Sequence, residues 1–166
     1  MIRAYTDADR DAVIALFRQF MAELTPPGRE AEFAAYVERA IAEELGRIGE
    51  YYGGNFWVAD AGGAVGVIGM VGVERESGED AELRRMAVDV RHRRRGIARA
   101  LLAHAEDACR AQGFRKVVLN TSELQAPARR LYETSGYRYL ASAAPSDTSH
   151  KRVGGLARYY YEKRLK

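Results

Sequence analysis

The run Arg93-Arg94-Arg95-Gly96-Ile97-Ala98 joins forked guanidinium donors to small residues that let a bulky anion approach the main chain. The residues that follow, Leu101, Ala105 and Ala108, continue from Ile97 at helical spacing, which places the run on the first turn of a helix. Backbone N–H groups there have no helical acceptor, and the helix dipole favours negative charge, so a phosphate or diphosphate is the natural occupant. The sequence contains neither G-x-x-x-x-G-K-S/T nor G-x-G-x-x-G, which excludes a nucleotide-hydrolysing phosphate loop and a dinucleotide fingerprint. Arginine clusters also mark nucleic-acid faces, and the net charge of +3 invites that reading. Without Arg91, Arg93, Arg94 and Arg95 the balance falls to −1, so one cationic loop has to be explained and not a basic face. The single cysteine, Cys109, has no internal disulfide partner and reads as a small reduced residue on a helix. His92, His104 and His150 do not fall at ligand spacing and read as surface residues, so no metal site is expected.

Several elements must position that run. A short strand at residues 2–5 leads into a capped helix whose stripe is Val13, Leu16, Phe17, Phe20, Met21 and Leu24, ended by Pro26-Pro27-Gly28. Phe33, Val37, Ile41, Leu45 and Ile48 predict a second amphipathic helix over residues 29–51, with Glu43, Glu44 and Glu50 on its solvated face. Strands follow at residues 55–60, 64–73 and 81–90, separated by turns at Gly62-Gly63 and Ser77-Gly78. A helix from Ile97 to about residue 112, a strand at 116–119, a helix at 125–135 and strands at 137–142 and 157–164 complete the pattern. One long irregular connection remains, residues 143–155. The expected fold is a mixed α/β (α+β) domain occupying residues 1–166, with a central sheet of about six to seven strands flanked by about four helices. No apolar run is long enough to span a bilayer, and the amino terminus lacks a secretory core, so a cytoplasmic protein without membrane or nucleic-acid partners is expected.

Three segments together resemble the GNAT N-acetyltransferase superfamily. Arg93, Gly96 and Ala98 match its acetyl-CoA motif Q/R-x-x-G-x-G/A; E-L-R-R-M-A-V, Glu82 to Val88, stands at the family's preceding strand; A-R-R-L-Y-E-T-S-G-Y, Ala128 to Tyr137, stands at its second CoA motif. The similarity covers most of the chain and is weakest over residues 25–55. It implies acetyl-CoA as cosubstrate, no metal, and a small-molecule or peptide amine as acceptor.

The resemblance also implies roles. Met86, Ala87 and Val88 would offer main-chain groups to the pantetheine arm as an added strand does. Arg93, Arg94, Arg95, Gly96, Ile97 and Ala98, with Arg99, would hold the pyrophosphate. Gln125, where many relatives carry asparagine, would hydrogen-bond the CoA arm, with Ala128 in the same motif. Tyr132 would protonate the leaving thiolate, a task suited to a phenol with an ordinary pKa of about 10. Glu82, on the strand leading to the acetyl group, is the first candidate for the base that takes the amine proton, and Glu74 the second; a salt-bridged exposed glutamate is the competing reading of either. Asn120 and Thr121 end a strand near the cleft, where acceptor contact and plain strand-end bonding are equally open.

No motif identifies the acceptor. Two other classes stay compatible with the residues: a non-catalytic acyl-CoA sensor and a nucleic-acid-binding module built on the Arg91 to Arg95 run. A monomer and a homodimer are both compatible with the tyrosines at residues 159–161.

Overall fold

A computed structural model describes residues 1–166. Its elements are β1 (Ile2–Ala4), α1 (Arg10–Leu24), α2 (Glu30–Glu43), α3 (Ile48–Tyr52), β2 (Phe56–Asp60), β3 (Val67–Ser77), β4 (Asp80–Val88), α4 (Ile97–Ala111), β5 (Lys116–Ser122), α5 (Ala126–Thr134), β6 (Arg138–Ala143) and β7 (Arg158–Arg164). The seven strands form one sheet in the order β1-β2-β3-β4-β5-β7-β6. Only β4 and β5 run parallel, as expected where a helical crossover, here α4, joins two strands. No helix is long and apolar enough to cross a membrane.

Both faces of the sheet are covered, which is why β2 is buried at four consecutive positions instead of alternating. Trp57, Ala59, Val71 and Val73 pack against Leu101, Leu102 and Ala105 of α4. Phe56, Val58, Met70 and Ala87 face the opposite way, onto Val13 and Phe17 of α1, Phe33 and Val37 of α2, and Tyr52 of α3. Cys109 is buried in the first cluster, as its helical position suggests.

The single helix expected over residues 29–51 is instead two. α2 ends at Glu43, Glu44 leaves the helical region with φ −138° and ψ −68°, and a short 3-10 turn at Leu45–Arg47 leads to α3. A side chain at Gly46 would meet the Ile41 carbonyl oxygen at 2.8 Å, so the reversal depends on glycine. Leu45 and Ile48 both reach the core, which kept the apolar period intact across the break. The other boundaries shift by a few residues; β3 runs on to Ser77 and β5 to Ser122, while the third strand of the meander stops at Val88.

Two irregularities in the middle of the sheet shape everything that follows. β4 pairs with β5 only at Asp80–Lys116, Ala81–Val117 and Glu82–Val118; beyond them the two strands diverge, each continuing without the other. On its other edge β4 carries a bulge against β3, where the register jumps between Met70–Ala87 and Gly72–Arg84, and Arg85 adopts φ +58°. A bulge re-aims side chains. Here it lets two consecutive residues, Arg84 and Arg85, reach the same carboxylate, Glu44.

Candidate active site

The divergence of β4 from β5 leaves residues 83–88 without a strand partner on one edge, next to the start of α4. The connection is turned by Asp89, whose carboxylate accepts from the Arg91 amide at 2.8 Å and from the Arg91 guanidinium at 3.0 Å. Those contacts hold the Asp89 carboxyl well below the usual carboxylate range. The loop then passes through two left-handed residues, Arg94 at φ +61° and Gly96 at φ +79°. Nothing lies within 4 Å of where a Gly96 side chain would stand, so glycine serves the backbone conformation there and leaves the approach open. The first hydrogen bond of α4 runs from the Ala100 amide to the Gly96 carbonyl; the amides of residues 94–99 donate to no protein acceptor. This is the geometry an anion requires.

The arginines of the loop divide into two kinds. Arg94 and Arg95 are exposed and free of carboxylates. Arg93 is turned back over the end of β4: its Nε donates to the Val88 carbonyl at 3.1 Å and its Nη1 to Glu23 on α1 at 2.6 Å. Its guanidinium, expected on the diphosphate, is engaged in fixing the loop. Arg99 reaches across to Thr134 and Ser135 at the end of α5. Of the helix-side residues, Ile97 and Ala98 pack partly buried on the core.

Behind the split strands lies a cavity of about 180 Å³. Phe17, Phe20, Met21 and Leu24 of α1 form one wall, residues 82–87 of β4 and Asn120–Ser122 of β5 another, and Lys151, Arg152, Val153, Leu156 and Arg158 close it from the long connection and β7. Met86, Ala87, Gln125 and Tyr132 all line it. Thus the edge of β4, Gln125 and Tyr132 line one cavity.

Tyr132 is 5% exposed, packed edge-on against Tyr137, and its hydroxyl has no partner in the protein. Burial alone pushes its pKa well above that of a free phenol, so it stays protonated and available as a donor. Glu82 is not the exposed glutamate of the competing reading: its side chain is 15% accessible and lines the cavity, 3.5 Å from the Arg84 guanidinium. Burial raises its pKa, with Arg84 and Lys151 opposing and Glu74 and Glu76 adding to the rise. A carboxylate so placed accepts a proton more readily than an ordinary one. Glu74 differs. Burial would raise it, but the Tyr51 hydroxyl at 2.7 Å and Arg84 at 2.7 Å outweigh that and hold it low.

Gln125 is half committed. Its Oε1 accepts from the Ser122 amide at 3.1 Å and hydroxyl at 3.0 Å, which fixes the entry to α5 and leaves the amide NH₂ as the group free for a ligand. The Ala128 amide already donates to the Gln125 carbonyl, so Ala128 offers a ligand little beyond its small side chain.

The charged cluster behind the cavity was missed in reading the sequence. Glu44, expected on a solvated face, is fully buried; it accepts from Arg85 at 2.7 and 2.9 Å, Arg84 at 3.2 Å and the Tyr52 hydroxyl at 2.5 Å. Burial opposes its ionisation, but Arg85 and Arg84 outweigh this and lower its pKa. Arg85 also donates to Tyr36 and to the His150 carbonyl, tying the long connection to the sheet. His150 is not an idle surface residue: its ring joins Tyr51 at 3.1 Å to Glu43 at 3.1 Å. His92 sits half-buried beside Asp89, and His104 packs on Trp57. Two adjacent arginines between Leu83 and Met86 in a central strand were the available signal, because buried guanidiniums require a carboxylate.

Comparison with known proteins follows the same outline. Residues 15–137 match the protein-family model described as Acetyltransferase (GNAT) family. The chain is similar to N-acetylaspartate synthetase of Rattus norvegicus, 35% identical over 114 residues, covering 66% of this chain and 38% of that protein. It is also similar to N-acetyltransferase family 8 member 2 of Rattus norvegicus, 35% identical over 136 residues, covering 76% of this chain and 58% of that one. It therefore spans less than two thirds of the length of these relatives. Among solved structures, an acetyltransferase of the GNAT family from Staphylococcus aureus superposes with TM-score 0.75 at 21% identity, covering 100% of this chain and 99% of that one. PaiA N-acetyltransferase from Thermoplasma acidophilum, in complex with coenzyme A, superposes with TM-score 0.74 at 16% identity, covering 99% and 98%. At such identities these structures speak for the fold alone.

Proposed function

This chain belongs to the GNAT acetyltransferase family, and on that premise we propose that it transfers an acetyl group from acetyl-CoA directly to an amine, as one domain formed by residues 1–166. The observation that carries the proposal is the end of β4–β5 pairing at Glu82–Val118, beside six amides without acceptors and in front of a cavity lined by Tyr132. The unpaired edge of β4 at Met86, Ala87 and Val88 suits an extended amide-bearing arm, which adds to a sheet edge by main-chain hydrogen bonds. The amides of residues 94–99, with the Arg94 and Arg95 side chains, suit a diphosphate.

In this reading the parts of the reaction balance as follows. Glu82 takes a proton from the ammonium of the acceptor, directly or through water. The amine nitrogen then bonds to the acetyl carbon, the carbon–sulfur bond breaks with its electron pair going to sulfur, the thiolate takes the Tyr132 proton, and the surplus proton on nitrogen passes to the Tyr132 phenoxide, directly or through water, leaving the neutral amide. A main-chain N–H near Val88 polarises the carbonyl oxygen as negative charge develops. Tyr132 is suited to its part because its ring is buried while its hydroxyl is protonated and free of protein partners, and it lines the cavity.

The test is thiol release from acetyl-CoA across a panel of amines, with Tyr132→Phe in parallel. Release with at least one amine, matched by acetylated product and depressed in the variant, is the expected result. Tight CoA binding without release from any amine contradicts catalysis and favours an acyl-CoA sensor.

A further inference from the structure

The cavity holds polar groups for which acetyl transfer alone has no use. Arg158, the first residue of β7, enters it and donates from Nε to Asn120 Oδ1 at 2.6 Å. No carboxylate lies within 4.0 Å of its guanidinium, whereas every other arginine that is not solvent-exposed has one. Arg152 lines the same cavity with its Nε lacking any hydrogen-bond partner. Of the two other unpartnered buried side-chain polar atoms, the Thr121 hydroxyl is on the opposite face of the sheet, since Ser122 and not Thr121 pairs with Arg158, and the Tyr5 hydroxyl lies outside the cavity. Such gaps are costly in a folded protein and call for an occupant.

The charges in the cavity indicate what the occupant is. Arg85 is matched by Glu44, Arg84 by Glu82 and Glu44, Lys151 by Glu74, and Arg152 by Asp147. Arg158 is left over. Burial weighs against its charged form, and the neighbouring charges of Arg152 and Arg84 add to the penalty. An anion placed between Arg158 and the Arg152 Nε would relieve both, and forked guanidinium donors are the arrangement that binds a carboxylate.

We infer that the acceptor is an amine that also bears a free carboxylate, of the amino-acid class, held by Arg158 together with the Arg152 Nε. The inference rests on the acetyl-transfer reading and adds the substrate class to it. The layout suits such a molecule. Asn120, which anchors Arg158, stands two residues beyond Val118, the partner of Glu82, a strand rise of about 7 Å. A carboxylate at Arg158 therefore directs the amine back towards Glu82, whose negative charge attracts an ammonium.

The experiment compares free L-amino acids with their carboxamides, which keep the amine and lose the negative charge, in the same thiol-release assay. Polyamines and arylalkylamines complete the panel. The best amino acid is expected to exceed its carboxamide by roughly a hundredfold in kcat/KM. Arg158→Gln should collapse that ratio to a few-fold, Arg158→Lys should restore part of it, and Arg152→Gln should lower it by roughly tenfold. Calorimetry with CoA on each variant separates acceptor loss from donor loss. The inference is overturned if the carboxamide is used as well as the acid, if only amines without a carboxylate are acetylated, or if Arg158→Gln leaves the ratio intact. Should Arg158→Gln fail to fold, the wild-type ratio and Arg152→Gln still decide the matter. Failure of the underlying reading looks different, with CoA bound and no amine of any class releasing thiol.

Discussion

The two sides of the split sheet are built by opposite means. The side proposed for acetyl-CoA is a strand edge and a loop contributed by one contiguous stretch, residues 86–99, and its binding groups are main-chain amides. The side proposed for the acceptor draws on α1, α2, β4, β5 and residues 151–158, and its binding groups are side chains held by a buried ion network. A main-chain site tolerates any side chain that preserves the backbone path, so one fold can keep its donor while the side-chain site changes acceptor. The same contrast predicts that damage on the donor side is modest and local, whereas damage on the acceptor side spreads.

Tyr132 stands where the two sides meet, and the largest effect is expected there. Tyr132→Phe should lower kcat by about 10²- to 10⁴-fold while leaving the KM for acetyl-CoA within a few-fold, measured by steady-state thiol release. A full rate in this variant would remove the assigned acid and leave the meeting point without chemistry.

Glu44→Leu sharpens the contrast next. It strands Arg85 without a carboxylate in a buried setting and takes one of three from Arg84, and should cost about 3–5 kcal/mol of unfolding free energy in a urea titration. Glu23→Gln, which frees the Arg93 guanidinium on the donor side, should cost less than about 1 kcal/mol, because that pair is solvent-exposed. The Glu44 contribution also has a sign in pH. Its folded pKa is depressed, so its stabilisation is present above the ordinary carboxylate range and disappears as pH falls through the lower, folded value. Equal costs for the two variants would dissolve the distinction between a rigid and a permissive side.

Glu82→Gln should reduce kcat/KM by about 10- to 100-fold at neutral pH. Because burial raises the Glu82 pKa, the acid limb of the wild-type profile should lie above the ordinary carboxylate range, with activity rising as Glu82 ionises, and the variant should lose that limb. A profile unchanged by the substitution would assign proton removal elsewhere. The smallest effect belongs to Arg94→Ala and Arg95→Ala. Both side chains are exposed, so each should raise the KM for acetyl-CoA only about two- to fivefold, and less as salt is added.

The contrast between the sides also explains what could be read from the sequence. The donor side was legible because its requirements are local: glycine at the left-handed position 96, small Ala98 behind it and an apolar helix immediately after. Arg93 was the exception, since its partners, Val88 and Glu23, are set by the fold and not by the motif. The break after α2 was hidden because Leu45 and Ile48 preserve the helical period while the chain reverses at Gly46. Glu44 was hidden for a related reason. A glutamate beside Glu43 reads as solvated, and its burial is decided by arginines about forty residues away. The bulge that brings those arginines onto one face depends on a register between strands, which no local pattern encodes.

Hydrogen exchange with and without acetyl-CoA tests the central claim most directly. The account predicts slowed exchange on addition of acetyl-CoA at the amides of Met86 to Val88 and of Arg94 to Arg99, together with little change in β1 and β6. Protection confined to other segments, or none at saturating acetyl-CoA, would contradict it.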